Sequence, residues 1–231
     1  MANLITWWRD FVDLVFPRCC EACSRGLVGN EATICTRCRI ALPRIEKNSL
    51  YAELIRYQFV HIPAVSSTQS FLLFTKRGKV QKLLHAMKYK GNQEVGLVLG
   101  RMFGQELVAE NRLPEAALII SVPLHQRKLK QRGYNQSDLL AEGLSQATGI
   151  PWSGSVLTRK KYTETQTGKS KKERHDNVQG VFEAQRQDGY ESVIILDDVL
   201  TTGATLCACI EALKDAGYKQ FHVLTIAMAE H

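Results

Sequence analysis

The sequence predicts an α/β protein: an open, mostly parallel sheet with helices on both faces, preceded by a small zinc-ribbon-like module. Three observations carry this. Apolar runs at 116–122 (AALIISV), 193–196 (VIIL) and 221–227 (FHVLTIA) suit strands buried inside a parallel sheet. Helical patterns separate them. Near the N-terminus stand two C-x-x-C pairs, in a stretch too short to hold a core of its own.

Composition sets the bounds. At 231 residues the chain can hold one substantial α/β domain and a small module. We expect residues 1–45 to form the N-terminal helix and cysteine module, and 46–231 the main domain. The net charge is +7, and residues 123–175 account for it, with eleven Lys and Arg against four Asp and Glu. A charge excess confined to one region predicts an anionic ligand there. No stretch approaches the twenty apolar residues needed to span a bilayer. The N-terminus lacks a basic start, and Arg9 and Asp10 interrupt its apolar run, so it does not read as a signal peptide. These features predict a cytoplasmic protein without a transmembrane segment.

In chain order, residues 3–16 read as an amphipathic helix, with Leu4, Phe11, Leu14 and Val15 at helical spacing and Pro17 as the stop. Cys20 and Cys23 then form one C-x-x-C pair and Cys35 and Cys38 the other, eleven residues apart. Four thiolates so spaced suit a tetrahedral zinc, which would supply the stability that so short a module lacks. Iron–sulfur ligation uses the same residue type. Cys19 is the spare thiol and could stand in for Cys20. Cys207 and Cys209 read as small helix residues, at least one of them buried.

Segments 59–65 and 70–75 read as two strands able to pair. Helices are expected over 80–89 and 94–109. The first has Val80, Leu83, Leu84 and Met87 on one face and ends in K-Y-K-G, whose basic residues complement the helix dipole. The strand at 116–122 runs into LHQRKLKQRGYNQ, read as a basic loop. Arg127, Lys128 and Arg132 crowd it, and Gly133 permits a sharp turn. Ligands of open α/β sheets bind beyond the carboxyl ends of the strands, so this loop suits a highly charged group such as pyrophosphate. A helix starts near Asn135 or Ser137. Residues 158–176 are polar, cationic and aperiodic, the signature of a lid loop, with Arg159, Lys161, Gln166 and Arg174 among its residues. The chain returns to strand over 177–182.

The strand at 193–196 ends in Asp197 and Asp198, then a turn: Thr201, Thr202, Gly203, Ala204, Thr205. A helix follows. Its start offers unpaired N–H groups and partial positive charge, a ready anion site. Gly203 lets the backbone come close to a phosphate, and the threonines add hydroxyl donors. Two carboxylates cannot hold a phosphate, but they can accept from the vicinal hydroxyls of a ribose. A sugar phosphate fits both halves.

IILDDVLTTGATL resembles the phosphoribosyl-pyrophosphate (PRPP) signature of type I phosphoribosyltransferases. The order of the four-cysteine knuckle, K-Y-K-G, R-G-Y-N-Q, a lid with Gln166, Arg174 and Asn177, and D-D-V-x-T-T-G-A-T is similar to the ComF/GntX family across nearly the whole chain. The resemblance implies a phosphoribosyltransferase-type sheet, with PRPP and Mg2+ as ligands. It implies that Asp197 and Asp198 hold the ribose hydroxyls and act at the catalytic centre. Residues 201–205 would bind the 5′-phosphate, and Arg127, Lys128 and Arg132 the pyrophosphate. It further implies a part in DNA uptake or the use of external DNA as a nutrient, with single-stranded DNA and the uptake machinery as possible partners. Tyr134, Trp152 and Tyr162 are candidates for stacking on bases. The alternative is an active phosphoribosyltransferase of nucleotide salvage, whose acceptor no stretch identifies.

Overall fold

The structure is a computed structural model and describes residues 18–115, 118–160 and 180–229. The helix expected over 3–16, Tyr162, and the lid residues Lys161, Gln166, Arg174 and Asn177 lie outside the described residues.

After the cysteine knuckle come α1 (Thr36–Ile40), α2 (Leu50–Gln58), β1 (Val65–Phe74), α3 (Lys79–Tyr89), α4 (Gln93–Ala109) and β2 (Leu118–Ser121). Then follow α5 (Gln126–Arg132), α6 (Gln136–Thr148), β3 (Trp152–Ser153), β4 (Leu157–Arg159) and β5 (Phe182–Ala184). The described chain closes with β6 (Ser192–Leu200), α7 (Ala204–Asp215) and β7 (Gln220–Ala229). Five strands form one sheet in the order β1-β7-β6-β2-β3, every pair parallel.

Alternation along β6 shows why its run is apolar on both faces. Ile194 and Leu196 face a core shared with α3, α4 and α6, while Val193 and Ile195 face α2 and α7. The fold is thus the expected open parallel sheet with helices on both sides. α4 and α6 pack almost backbone to backbone. A Cβ on Gly100 would stand 2.1 Å from the Leu140 carbonyl oxygen, so only glycine fits.

The knuckle does not stand apart. Cys20, Ala22, Ile34, Cys35 and Cys38 belong to the same buried cluster as α3 and α4. Residues 43–45 then run antiparallel along the outer edge of β1, where Leu73 N–H bonds to Pro43 O and Ile45 N–H to Phe71 O.

Four expectations change. One strand, Val65–Phe74, replaces the two expected at 59–65 and 70–75, because 59–65 folds into successive turns around Pro63, with Ile62 N–H on Phe59 O and Val65 N–H on Ile62 O. The basic loop after β2 is largely the short helix α5; nothing in QRKLKQR breaks a helix before Gly133, and the His125 side chain caps it by accepting from Arg127 N–H at 3.2 Å. Arg159 sits in β4, paired antiparallel to β5, since Leu157 and Phe182 are buried there; the hairpin closes with Lys160 N–H on Val181 O. β6 runs on to Leu200, so both acids lie within its final stretch.

Candidate functional site

β2 and β6 are neighbours, with Ser121 opposite Leu196. Asp197 therefore begins where β2 has just ended, and the segments after both strands leave from one carboxyl edge, the expected position for a ligand. After Leu200 the chain turns through 201–203 into α7. Gly203 is the N-cap of α7 at φ +75° and, as glycine, brings no side chain to cap the helix, so its first N–H groups can serve a ligand. Thr201, Thr202, Ala204 and Thr205 are exposed, while Gly203 is buried against α2. The turn is steadied from behind by Gln58, whose Nε2–H donates to Thr201 O at 3.2 Å. A cavity of about 40 Å³ lies within this turn, and Asp197 lines it. Among the described residues, no side chain buries Thr202 or Thr205.

The two acids are held differently. Asp197 Oδ1 accepts from the Asp198 backbone N–H at 2.8 Å and from Ser137 Oγ–H at 3.2 Å. Burial first, and the neighbouring Asp198 charge second, push its carboxyl up to about 7. Asp198 Oδ2 meets Lys88 Nζ at 2.7 Å. Lys88 comes from the end of α3, in the K-Y-K-G segment.

The R-G-Y-N-Q motif proves to be a set of ties around this lysine. Gly133 ends α5 in the left-handed region, Arg132 Nη1–H donates to Gln136 Oε1 at 2.5 Å, and the Arg132 guanidinium lies 5.2 Å from the Tyr89 ring centroid. Tyr134 O–H donates to the Met87 carbonyl oxygen, fixing the last turn of α3. Asn135 caps α6 through Ser137 N–H and bonds Val122 O at 3.0 Å. Asp138 accepts from Ser121 Oγ–H at 2.6 Å and Asn135 Nδ2–H at 2.8 Å; burial still pushes its carboxyl above the usual range. A second cavity, about 280 Å³, is lined by Lys88, Tyr89, Gly91, Gln131, Arg132 and Tyr134. Through Lys88 it adjoins the acid pair.

Among the expected site residues, the structure gathers Asp197, Asp198 and 201–205 at one edge and brings Arg132 to the neighbouring cavity. Arg127 and Lys128 are exposed on α5. Arg159 lies over the Phe182 ring, its guanidinium carbon 5.3 Å from the centroid. Trp152, half-buried, packs against the core, and Tyr134, also half-buried, is tied through its hydroxyl to Met87 O. Sequence reasoning missed Lys88, Ser137 and Gln58. Only the K-Y-K-G cluster could have signalled one of them, and it read equally well as a helix end.

The Sγ atoms of Cys20, Cys23, Cys35 and Cys38 all lie within 4.8 Å of one another. A zinc–sulfur bond of about 2.3 Å sets tetrahedral sulfurs about 3.8 Å apart; the Cys23 and Cys35 sulfurs stand at 3.8 Å. Cys35 N–H also points to Cys20 Sγ at 3.3 Å. The Arg25 backbone N–H is the main influence drawing Cys23 down to about 7, whereas burial and neighbouring sulfurs push Cys38 up to about 12. The cluster can therefore hold a metal, with Cys20, not the exposed Cys19, as its member. Glu21, inside the first pair, accepts from Lys90 Nζ at 3.1 Å and Asn92 Nδ2 at 3.0 Å. The knuckle thus grips the segment that follows Lys88.

A parallel sheet carrying this turn at its carboxyl edge defines a phosphoribosyltransferase-like domain, and residues 137–231 match the family described as "Phosphoribosyl transferase domain". The chain is 39% identical over 121 residues to Competence protein F of Haemophilus influenzae, covering 51% of this chain and 52% of that one. It is 34% identical over 138 residues to DNA utilization protein YhgH of Escherichia coli K12, covering 58% and 61%. The chain thus spans 52 to 61% of the length of these relatives. A glutamine PRPP amidotransferase from B. subtilis overlaps 57% of this chain and 26% of its own at 26% identity with a TM-score of 0.40. The likeness to ComF drawn from the motifs is borne out: the chain is similar to proteins named for competence and DNA utilization and has a phosphoribosyltransferase-like fold. No helix among the described residues is long and apolar enough to cross a membrane.

Proposed function

We propose that this chain binds PRPP and serves, in the cytoplasm, the uptake or use of external DNA. The observation that carries the reading is the open turn at 201–205 beside Asp197: an uncapped helix start, exposed hydroxyls and a carboxylate line one small cavity. The 5′-phosphate would sit on the α7 amides and threonine hydroxyls, and the ribose hydroxyls would donate to Asp197 and Asp198. Lys88 and Arg132, with Arg127 and Lys128 nearby on α5, would face the pyrophosphate. Mg2+ would supply charge neutralisation between the ribose and pyrophosphate oxygens. The names of the relatives, which speak of competence and DNA utilization, support the biological setting.

The test is calorimetric titration with PRPP and Mg2+. We expect saturable binding that Asp198→Asn weakens about tenfold, the scale of one charge-assisted contact. Equal affinity in the variant, or no binding, would remove the reading. Pyrophosphate release with candidate bases then separates an active transferase from a binding protein.

For the four cysteines we propose zinc, on the sulfur spacing. Metal analysis of the purified chain should give one zinc per chain and no iron, and a chelator should lower the melting temperature. A metal-free chain that melts unchanged in chelator would dismiss a structural zinc. Single-stranded DNA is a second reading, favoured by exposed Tyr89 beside Lys90 and by exposed Arg127, Lys128 and Lys130 on α5. Its affinity should fall steeply with salt; a flat salt response would count against it.

A further inference from the structure

β1 is an edge strand, and only part of its outer side is covered. Residues 43–45 pair with it at Phe71 and Leu73, and the chain then turns away, with Ser49 N–H on Glu46 O. Beside the uncovered half of β1, between α2 and residues 111–114, opens a cavity of about 580 Å³. It lies toward the amino end of the strands, whereas the phosphate turn follows the carboxyl end of β6. It is larger than either cavity at the candidate site, and its size suits a small-molecule ligand.

Its chemistry is two-sided. Val60, Ile62, Pro63 and Leu113 give it an apolar wall, backed by the buried Ile55 and Phe59. Lys47 and Arg56 bring two exposed cations, and no Asp or Glu among the described residues lines the cavity. Neither cation enters an ion pair among the described residues, while a third, Arg112, is taken by Glu110 at 2.8 Å. Four buried side-chain polar atoms lack a hydrogen-bond partner among the described residues, and three of them, Thr68 Oγ1, Gln69 Oε1 and His222 Nε2, belong to residues lining this cavity. Gln69 Nε2–H donates to Arg112 O at 3.0 Å, which leaves Oε1 as its unmet acceptor; like the other two atoms, Oε1 is buried and lies behind the cavity surface.

We propose that this cavity is a second binding site, separate from the phosphate turn, for an organic anion the size of a nucleoside monophosphate. The ring system would lie on the Val60, Ile62 and Leu113 wall, and the anionic group would meet Lys47 and Arg56. The site also touches the phosphate turn. Phe59 lines the cavity, yet its ring stands 3.4 Å from where a Cβ on Gly203 would be, and its neighbour Gln58 holds Thr201. Occupancy would therefore bias the turn through α2; that consequence rests on the PRPP reading, whereas the binding itself does not.

The experiment is calorimetric titration of the full chain with AMP, in the presence of saturating ribose 5-phosphate to fill the turn, and in parallel with inorganic phosphate. We expect one equivalent of AMP to bind, phosphate to bind at least about tenfold more weakly, and the double variant Lys47→Glu/Arg56→Glu to weaken AMP at least about tenfold. Both residues are exposed, so the variant should melt with the parent; if it does not fold, Lys47→Gln/Arg56→Gln takes its place. Three results overturn the site: no AMP binding to the parent, AMP binding abolished by ribose 5-phosphate, or AMP affinity unchanged in the variant. Phosphate binding as tightly as AMP overturns the organic part of the ligand. Failure of ribose 5-phosphate itself to bind would sink the PRPP reading while leaving the variant comparison decisive for this cavity.

Discussion

The two halves of the candidate site are built in opposite ways. The phosphate half is local: one turn and the first residues of α7, with Thr202 and Thr205 exposed and a single brace from behind by Gln58. The ribose and pyrophosphate half is assembled from distant segments. Lys88 comes from α3, Ser137 from α6 and the acids from β6, and the parts stay together through Tyr134, Asn135 and Glu21. The difference teaches where each half is vulnerable. The local half should fail through backbone geometry, and the assembled half through loss of side-chain ties.

The largest effect is expected from Gly203→Val. Gly203 sits at φ +75°, which a β-branched residue adopts only with strain of at least about 1–2 kcal/mol. The new Cβ would also stand 3.2 Å from Gln58 Oε1 and 3.4 Å from the Phe59 ring. We expect ribose 5-phosphate binding to fall by about a hundredfold or more, with a melting temperature lower by several degrees. Retained binding would mean that the turn is not the phosphate half, and the contrast between the halves would vanish.

The same contrast decides what could be read from the amino acids alone. The phosphate turn is contiguous, so its acids, threonines and glycine declare themselves in one line, and the buried runs on either side fix the parallel sheet. The cysteine pairs declare themselves likewise, because metal geometry demands short spacing. Lys88 has no such mark. A lysine in a last helical turn looks the same whether it meets the helix dipole or an aspartate from the far side of the sheet. R-G-Y-N-Q was legible as basic, but not as a brace, since a tyrosine hydroxyl bound to Met87 O leaves no trace in spacing. α5 was hidden for a simpler reason: charge drew attention to a loop where the residues are good helix formers. The K-Y-K-G segment also takes hold of the cysteine knuckle through Glu21, a contact that no local pattern announces.

Lys88→Ala probes the assembled half and should act at a smaller scale. Its ammonium holds Asp198 in the ligand-free chain, at 2.7 Å and partly shielded from solvent. A bound ribose must compete for that carboxylate, whereas a bound pyrophosphate would welcome the cation. Removal should therefore weaken PRPP about tenfold while leaving ribose 5-phosphate unchanged or slightly tighter. Equal losses for both ligands would show that Lys88 merely supports the fold of the edge, and the two halves would then not be separable by ligand.

Asp197→Asn sharpens the comparison most finely, because Asp197 belongs to both halves: it lines the turn cavity and bonds Ser137. Its carboxyl is raised to about 7, by burial and then by Asp198, far above the unfolded value near 4. For an acid raised in this way the folded state keeps a proton that the unfolded state has lost. Stability contributed by this group is therefore full below about pH 4, declines as pH rises toward 7, and is level above that. Asparagine keeps the acceptor for Ser137 and Asp198 N–H but never acquires the charge. The variant should gain nothing at pH 4 and up to about 4 kcal/mol at pH 8, seen as a melting temperature several degrees above the parent. In the parent, ribose 5-phosphate should bind a few-fold more tightly at pH 8 than at pH 6, since the ionised carboxylate is the better acceptor for ribose hydroxyls, and the variant should lose that part of the slope. A gain in melting temperature that is the same at pH 4 and pH 8 would show that the carboxyl carries no buried charge, and Asp197 would then belong to the solvent-facing half alone.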